Sequence, residues 1–221
     1  MKRTLPVAVV ALLAGCASGP APPTWQSEAK GALDRAAVAY LGGETALHDT
    51  ELARARAAVA ATGRPELAAR VELTDCALRV ASVQFEPCAR FEALRADAAA
   101  PERAYAEHLA AKALARDAIA LLPPAQQGPA AARAGGNATL ATVQGIEDPL
   151  SRLIAVAVLF QAGQASPAMI ELAADTASTQ GWRRPLLAWL KVQALRAEKA
   201  GDAAASQALQ RRIALVEGAA R

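Results

Sequence analysis

The side chains best suited to acid–base or metal chemistry are a histidine and a glutamate near residue 50. His48 and Glu51 belong to the run His48-Asp49-Thr50-Glu51, and on a helix they share a face because residues three apart are neighbours there. Such a pair suits a metal ion or the transfer of a proton. A solvated helix surface explains the same pattern, and we predict that surface position for His48. The second histidine, His108, is predicted at the surface or its boundary.

Sequence patterns of the common enzyme classes do not occur. The chain contains no His-Glu-x-x-His, no Gly-x-Ser-x-Gly and no glycine-rich phosphate-binding motif. We therefore predict no catalytic residue, no metal site, no cofactor and no enzymatic activity.

Basic and aromatic residues are concentrated at Trp182, Arg183 and Arg184. A tryptophan ring beside two guanidinium groups suits an anionic partner such as a lipid headgroup or a glycan, which makes this trio the candidate binding surface. The alternative, which we prefer, is that Trp189 packs inward on the same helix while the two arginines stay solvated.

The N-terminus has the layout of a secretory signal. Lys2-Arg3 precede an apolar run from Leu5 to Cys16, which is too short to cross a bilayer as a permanent helix. The end of the run, Leu13-Ala14-Gly15-Cys16, resembles the lipobox of bacterial lipoproteins. The resemblance implies that residues 1–15 are a signal peptide, that the Cys16 thiol carries a diacylglyceryl group, and that the new amino terminus is acylated.

The resemblance also implies where the protein is anchored. Ala17 and Ser18 lack the aspartate that retains members of that family at the inner membrane, so we expect the periplasmic face of the outer membrane. Residues 16–24 then form the lipidated cysteine and a proline-rich tether. The alternative is an ordinary secreted protein that is cut after Ala17 or Gly19.

Cys76 and Cys88 are the two remaining thiols. In an oxidising periplasm we predict a disulfide between them. A helix that continued from Cys76 through Gln84 would rise roughly 12 Å and carry the chain beyond bridging distance, so the helix is expected to end by about Ser82. Simple burial of Cys76 is an alternative, whereas a thioredoxin-like redox site is disfavoured because the two cysteines lack Cys-x-x-Cys spacing.

The charge of the chain gives no sign of nucleic-acid binding. There are 24 Lys and Arg against 21 Asp and Glu, and loss of Lys2 and Arg3 with the signal peptide would leave 22 against 21. The mature chain would be nearly neutral and has no concentrated basic run, so we expect no nucleic-acid partner.

The composition predicts an all-α body, because alanine and straight-chain residues favour helices and only 4% of residues are aromatic. Glycine and proline mark the predicted helix ends. The predicted helices cover residues 25–42, 44–62, 65–82, a short stretch from 88, 101–122, 150–162, 168–179, 182–200 and 202–217. We expect an N-terminal helical part at 25–122, a loop or domain seam at 123–147, and C-terminal helical hairpins at 148–221. The run 153–160 is apolar on every side and predicts a central helix.

Helix pairs separated by Gly-Asp or Gly-Gly resemble tetratricopeptide-type repeats. The best match is Leu190 to Val216, with Gly201-Asp202 at the hinge, and Leu33 to Val59 is a weaker one. The resemblance implies stacked hairpins with a concave face. An irregular helical bundle also needs small residues at its contacts, so both architectures stay open.

These observations favour a lipoprotein that is attached to the membrane by its anchor. The protein would act there as a scaffold or adaptor for an envelope protein or peptide. The alternatives are a cell-wall enzyme, for which no pair of convergent carboxylates can be named, and a purely structural envelope protein. The analogy between helical repeats and binding is at the level of fold.

Overall fold

A computed structural model describes residues 23–218. Over this range the chain is all-α and contains no strand, which confirms the predicted fold class. The helices are α1 (Thr24–Gly42), α2 (Thr45–Ala60), α3 (Pro65–Ala81), α4 (Ala89–Glu92), α5 (Ala100–Leu109), α6 (Arg116–Ala120), α7 (Pro124–Ala134), α8 (Leu140–Gln144), α9 (Pro149–Gln161), α10 (Pro167–Thr179), α11 (Arg183–Lys199) and α12 (Ala203–Gly218). Cys16, the signal peptide at 1–15 and most of the 16–24 tether lie outside the described residues and stay predictions.

Local sequence signals set the starts of α9 and α10. The Asp148 carboxylate accepts a hydrogen bond from the Ser151 amide at 2.7 Å, and the Ser166 hydroxyl accepts one from the Met169 amide at 3.3 Å. A proline follows each cap at the first helical position, where its missing N–H has no intrahelical partner to lose. Both predicted helix starts are confirmed.

Helix α9 lies at the centre of the molecule. All residues from Leu153 to Leu159 are buried, and α3, α5, α7, α8 and α10 pack against it. The continuously apolar sequence of this stretch is explained by its position, because no side of residues 153–159 faces water. The contact between α3 and α9 joins distant parts of the chain, whereas each unit of a solenoid contacts only the units next to it in sequence. The described helices therefore form a bundle around α9, with α1–α2 and α11–α12 as hairpins at its periphery.

The single helix predicted at 101–122 is wrong. Helix α5 ends at Leu109 and α6 begins at Arg116, and between them Ala111 adopts a φ of 51°. The Arg133 guanidinium, from α7, donates hydrogen bonds to the carbonyl oxygens of Ala111, at 2.9 Å, and of Lys112. Carbonyls at a helix end lack intrahelical donors, so a side chain distant in sequence stabilises this break.

The loop predicted at 123–147 is also wrong in part, because α7 and α8 occupy much of it. Proline at the start of α7 is compatible with a first helical turn. Gln126, Pro129, Ala130 and Arg133 are buried on one side of α7, at the spacing of one helix face. Both helices contact α9.

The predicted disulfide is present between Cys76 and Cys88, whose Cα atoms lie 5.9 Å apart. Helix α3 ends at Ala81, as the predicted bridge requires. The Gln84 amide then donates back to the Arg79 carbonyl at 2.9 Å, so the chain reverses before it reaches Cys88.

Between residues 23 and 218, every helix is either too short or too polar to serve as a membrane span.

Candidate functional site

A polar cavity of about 650 Å³ lies where α1, α2, α3 and α11 meet the segment that follows α3. We call it the His48 pocket. Its lining residues share a mainly polar character and are Tyr40, Thr45, His48, Asp49, Leu52, Arg56, Asp75, Arg79, Gln84, Pro87, Ala89, Arg90 and Arg184. The pocket brings together one candidate from each of the two polar clusters seen in the sequence, His48 and Arg184.

His48 is buried, with 4% of its surface exposed, so the predicted surface position is wrong. Its Nδ1 lies 3.0 Å from the Ala36 carbonyl oxygen and its Nε2 lies 3.0 Å from Asp75 Oδ1. Both partners are acceptors, so the ring satisfies them when both nitrogens carry hydrogen. Burial alone would lower the pKa of His48, but the hydrogen bonds to Asp75 and Ala36 outweigh it and raise that pKa.

Asp75 connects this imidazolium to a guanidinium. Its second oxygen lies 2.9 Å from Arg79 Nη2, one turn further along α3. Burial alone would raise the pKa of Asp75, but the hydrogen bond from His48 and the charge of Arg79 outweigh it and hold that pKa below its usual value. The carboxylate is therefore fixed between two cations.

Arg184 attaches α11 to the first hairpin and lines the same pocket. Its Nε donates to the Tyr40 carbonyl oxygen at 2.7 Å and its Nη2 to the Thr45 hydroxyl at 2.8 Å. The guanidinium also lies 4.3 Å from the centre of the Tyr40 ring, at cation–π distance. All of these partners are uncharged, so the positive charge of Arg184 is not neutralised by them. Burial raises the pKa of Tyr40 to about 12, and its hydroxyl donates to Gln84 Oε1 at 2.7 Å.

Positive charge exceeds negative charge around the pocket. Arg56 forms two hydrogen bonds of 2.7 Å with Glu72 and is thereby neutralised. Arg90 is exposed, and no carboxylate among residues 23–218 forms an ion pair with it. Four arginines line the pocket, so the carboxylates of Asp49, Asp75 and Glu72 do not balance the cations even without a charge on His48. The arrangement suits an anion.

The remaining sequence candidates lie elsewhere. Glu51 is buried and binds Arg35 at 2.8 Å and Arg54 at 2.6 Å, so the pair with His48 that the spacing allowed does not form, and the solvated surface predicted for this run is wrong at Glu51 as well. Trp182 is half-buried against the core. Arg183 lies over Gly43, where an added methyl group would come within 2.6 Å of its Nη2.

The predicted surface made of Trp182, Arg183 and Arg184 is therefore not a continuous solvated patch, because all three side chains are partly buried. Arg184 alone reaches the His48 pocket. Trp189 is fully buried, as predicted, and its Nε1 donates to the Ala81 carbonyl at 3.1 Å.

His108 is also buried, with 1% exposed, which corrects the predicted boundary position. Its Nε2 lies 3.1 Å from Gln126 Oε1, and Gln126 Nε2 donates to the Ser151 carbonyl at 2.9 Å. Burial lowers the pKa of His108 to about 4, so the ring is neutral at pH 7. It connects α5 to α9 through α7.

Sequence reasoning missed Asp75, Arg79, Arg56 and Arg90. A signal existed for the first two, because an acid followed by an arginine four residues later lies beside the apolar stripe of α3 and can pair along the helix. Among residues 23–218, no group of three or more His, Cys, Asp or Glu side chains is placed to hold a metal ion.

Comparison of the chain with protein-family models, with curated proteins and with solved structures finds no significant match.

Proposed function

We propose that the protein is a lipoprotein anchored through Cys16 to the periplasmic face of the outer membrane, where it acts as a scaffold that binds an acidic segment of an envelope protein or peptide. The acidic segment would occupy the His48 pocket. The observation that carries the binding proposal is the excess of positive charge around that open pocket.

The anchoring part of the proposal rests on the lipobox-like residues 13–16. The Cys76–Cys88 disulfide supports it, because such bonds persist mainly in oxidising compartments such as the periplasm. Several acyl chains on one residue would make attachment effectively permanent, since each buried CH₂ contributes about 0.8 kcal/mol.

The binding part rests on how the cations are held. His48, Arg79 and Arg184 are each fixed by hydrogen bonds to protein groups, so little conformational entropy is lost when a ligand binds them. Arg90 is exposed at the edge of the pocket and supplies a guanidinium for two-point contact with a carboxylate. A peptide rich in Glu or Asp provides carboxylates that can reach several of these cations together.

We propose no reaction for this pocket. Both nitrogens of His48 already face fixed acceptors, the Ala36 carbonyl and Asp75. A general base needs a free nitrogen within hydrogen-bond reach of the substrate. His48 therefore has no free nitrogen for a substrate, and its raised pKa favours the charged form of the ring.

Binding is tested by fluorescence anisotropy with a labelled hexaglutamate peptide and the full chain, with hexaglutamine as the neutral probe. We expect hexaglutamate to bind, hexaglutamine not to bind, and Arg90→Gln to weaken hexaglutamate binding by about tenfold, the loss of one charge-assisted contact. Arg116→Gln is the matched control, because it removes the same charge from an exposed position on α6.

Equal weakening by Arg90→Gln and Arg116→Gln would show non-specific attraction and overturn the pocket assignment. The same variants are assayed for sedimentation with phosphatidylglycerol vesicles. If vesicles bind in a way that Arg90→Gln abolishes while hexaglutamate does not bind, the partner is a lipid headgroup and the peptide proposal fails.

Anchoring is tested on protein isolated from bacterial envelopes. Mass spectrometry should find an acylated Cys16 at the amino terminus, and the protein should enter the detergent phase on phase separation. Cys16→Ser should move it to the aqueous phase. An amino terminus at another residue would overturn the lipoprotein assignment and leave the peptide-binding result to stand alone.

A further inference from the structure

A second cavity, of about 420 Å³, lies between α3, α5 and the connection from α6 to α7. We call it the Glu102 pocket. Most of its walls are apolar, formed by Leu73, Pro101, Tyr105, Leu121, Leu122 and Pro123. Its size falls in the range of small-molecule sites, roughly 300 to 1,000 Å³. It shares no lining residue with the His48 pocket.

Glu102 places an incompletely bonded carboxylate in this apolar setting. The residue is 5% exposed, and its Oε1 accepts a hydrogen bond from Arg70 Nε at 2.5 Å. Its Oε2 is buried and has no hydrogen-bond partner among the described residues. A buried acceptor without a donor is unfavourable by about 1 to 3 kcal/mol, and more when it is charged.

The neighbouring donors of the pocket, which include the hydroxyls of Thr74 and Tyr105, do not satisfy this oxygen. Thr74 donates its hydroxyl hydrogen to the Arg70 carbonyl at 2.9 Å. Arg70 binds the other oxygen of Glu102, and its side chain is 62% exposed, so solvent screens much of its charge. A donor brought by a ligand would complete the hydrogen bonding of Oε2.

We infer that the Glu102 pocket binds a small molecule that carries a protonated primary amine on an apolar body. The ammonium group donates to Glu102 Oε2 and complements its charge, and the apolar body packs on the leucine and proline walls. A ligand with a carboxylate in place of the amine would bring two acceptors and a negative charge against Glu102, and is disfavoured.

Isothermal titration calorimetry of the full chain with three probes tests this inference. Benzylamine is an apolar ring with an ammonium group, benzyl alcohol replaces the ammonium with a neutral donor, and phenylacetate carries an acceptor only. We expect benzylamine to bind at least about tenfold more tightly than benzyl alcohol, and phenylacetate to show no binding.

Two variants separate the roles of charge and packing. Glu102→Gln should weaken benzylamine binding at least about tenfold, with little effect on benzyl alcohol. Glu107→Gln is the matched control, because it removes a half-exposed carboxylate from the same helix, and should change nothing. Leu121→Ala shortens a wall residue that is 43% exposed and should weaken both donor probes together.

Circular dichroism is used to check that each variant folds. If Glu102→Gln does not fold, the weakening of benzylamine binding by Leu121→Ala becomes the test. Equal affinity for benzylamine and phenylacetate, or benzylamine binding that neither variant changes, would overturn the inference. Arg90→Gln should leave benzylamine binding intact, so this outcome is independent of the proposed peptide binding.

Discussion

Acidification should destabilise the folded protein through His108. Burial lowers the pKa of this ring to about 4 in the folded state, whereas the unfolded chain titrates near 6.5. Between these values the His108 ring is protonated in the unfolded state but not in the folded state, so the free energy of unfolding falls as the pH falls. The full difference corresponds to about 3 kcal/mol, lost as the pH falls from 6.5 to 4.

The pH range from 5 to 6 isolates this effect. There His48, whose pKa is raised in the folded state, is charged in both states, and comparison of the wild type with a His108 variant cancels the groups that the two proteins share. The remaining slope from His108 is about 1 kcal/mol per pH unit. Urea unfolding at pH 5.0, 5.5 and 6.0, followed by tryptophan fluorescence and by circular dichroism to check two-state behaviour, measures it.

The decisive comparison uses two variants. His108→Gln has no titrating ring and should lower the slope between pH 5 and 6 by about 1 kcal/mol per pH unit, whatever its stability at pH 7. His48→Gln removes the other histidine and should leave that slope unchanged. If the wild type and His108→Gln show the same slope, the ring does not stay neutral in the folded protein, and the reasoning from its burial is wrong.

Three further predictions concern stability. Replacing Cys76 and Cys88 with serine should lower the free energy of unfolding by about 3 kcal/mol, the loop-closure value for a separation of 12 residues, as measured by urea unfolding; an unchanged value would contradict it. Trp189→Phe should lower the free energy of unfolding by about 2 kcal/mol, because the hydrogen bond to the Ala81 carbonyl is lost from a fully buried site. A loss below about 0.5 kcal/mol would show that the site collapses around the smaller ring. His48 stabilises the fold most below pH 6.5, and this contribution is lost as the pH rises through its higher folded-state pKa. Unfolding measured from pH 6.5 to 9 should therefore show a fall in stability in the wild type that His48→Gln lacks, and parallel curves would contradict it.

The helical class and most helix ends could be predicted because their causes are local. Capping side chains, first-turn prolines and glycines act within a few residues, as at Asp148 and Ser166. The break after Leu109 could not be predicted, since the Arg133 guanidinium that stabilises it comes from a helix more than twenty residues away. Long-range hydrogen bonds of this kind leave no periodic pattern in the sequence.

The His48 pocket was predictable only in fragments. His48 lies at helical spacing from Leu52, Ala55 and Val59, and this stripe is the buried one, so its burial could have been predicted from the same periodicity that marks the core. Its bonding to Asp75 could not, because that contact depends on how α2 and α3 cross. The sequence also gave no reason to connect Arg184 with α1.

The bonds from Arg184 join positions 144 and 139 residues apart in the chain. One wall of the His48 pocket is thus supplied by α11, which the ribosome makes after all the other walls. A polypeptide that stops after α10 would keep its histidine and aspartate but lack this closure. The proposed recognition at the pocket would then require that α11 has been synthesised and has packed against the first hairpin.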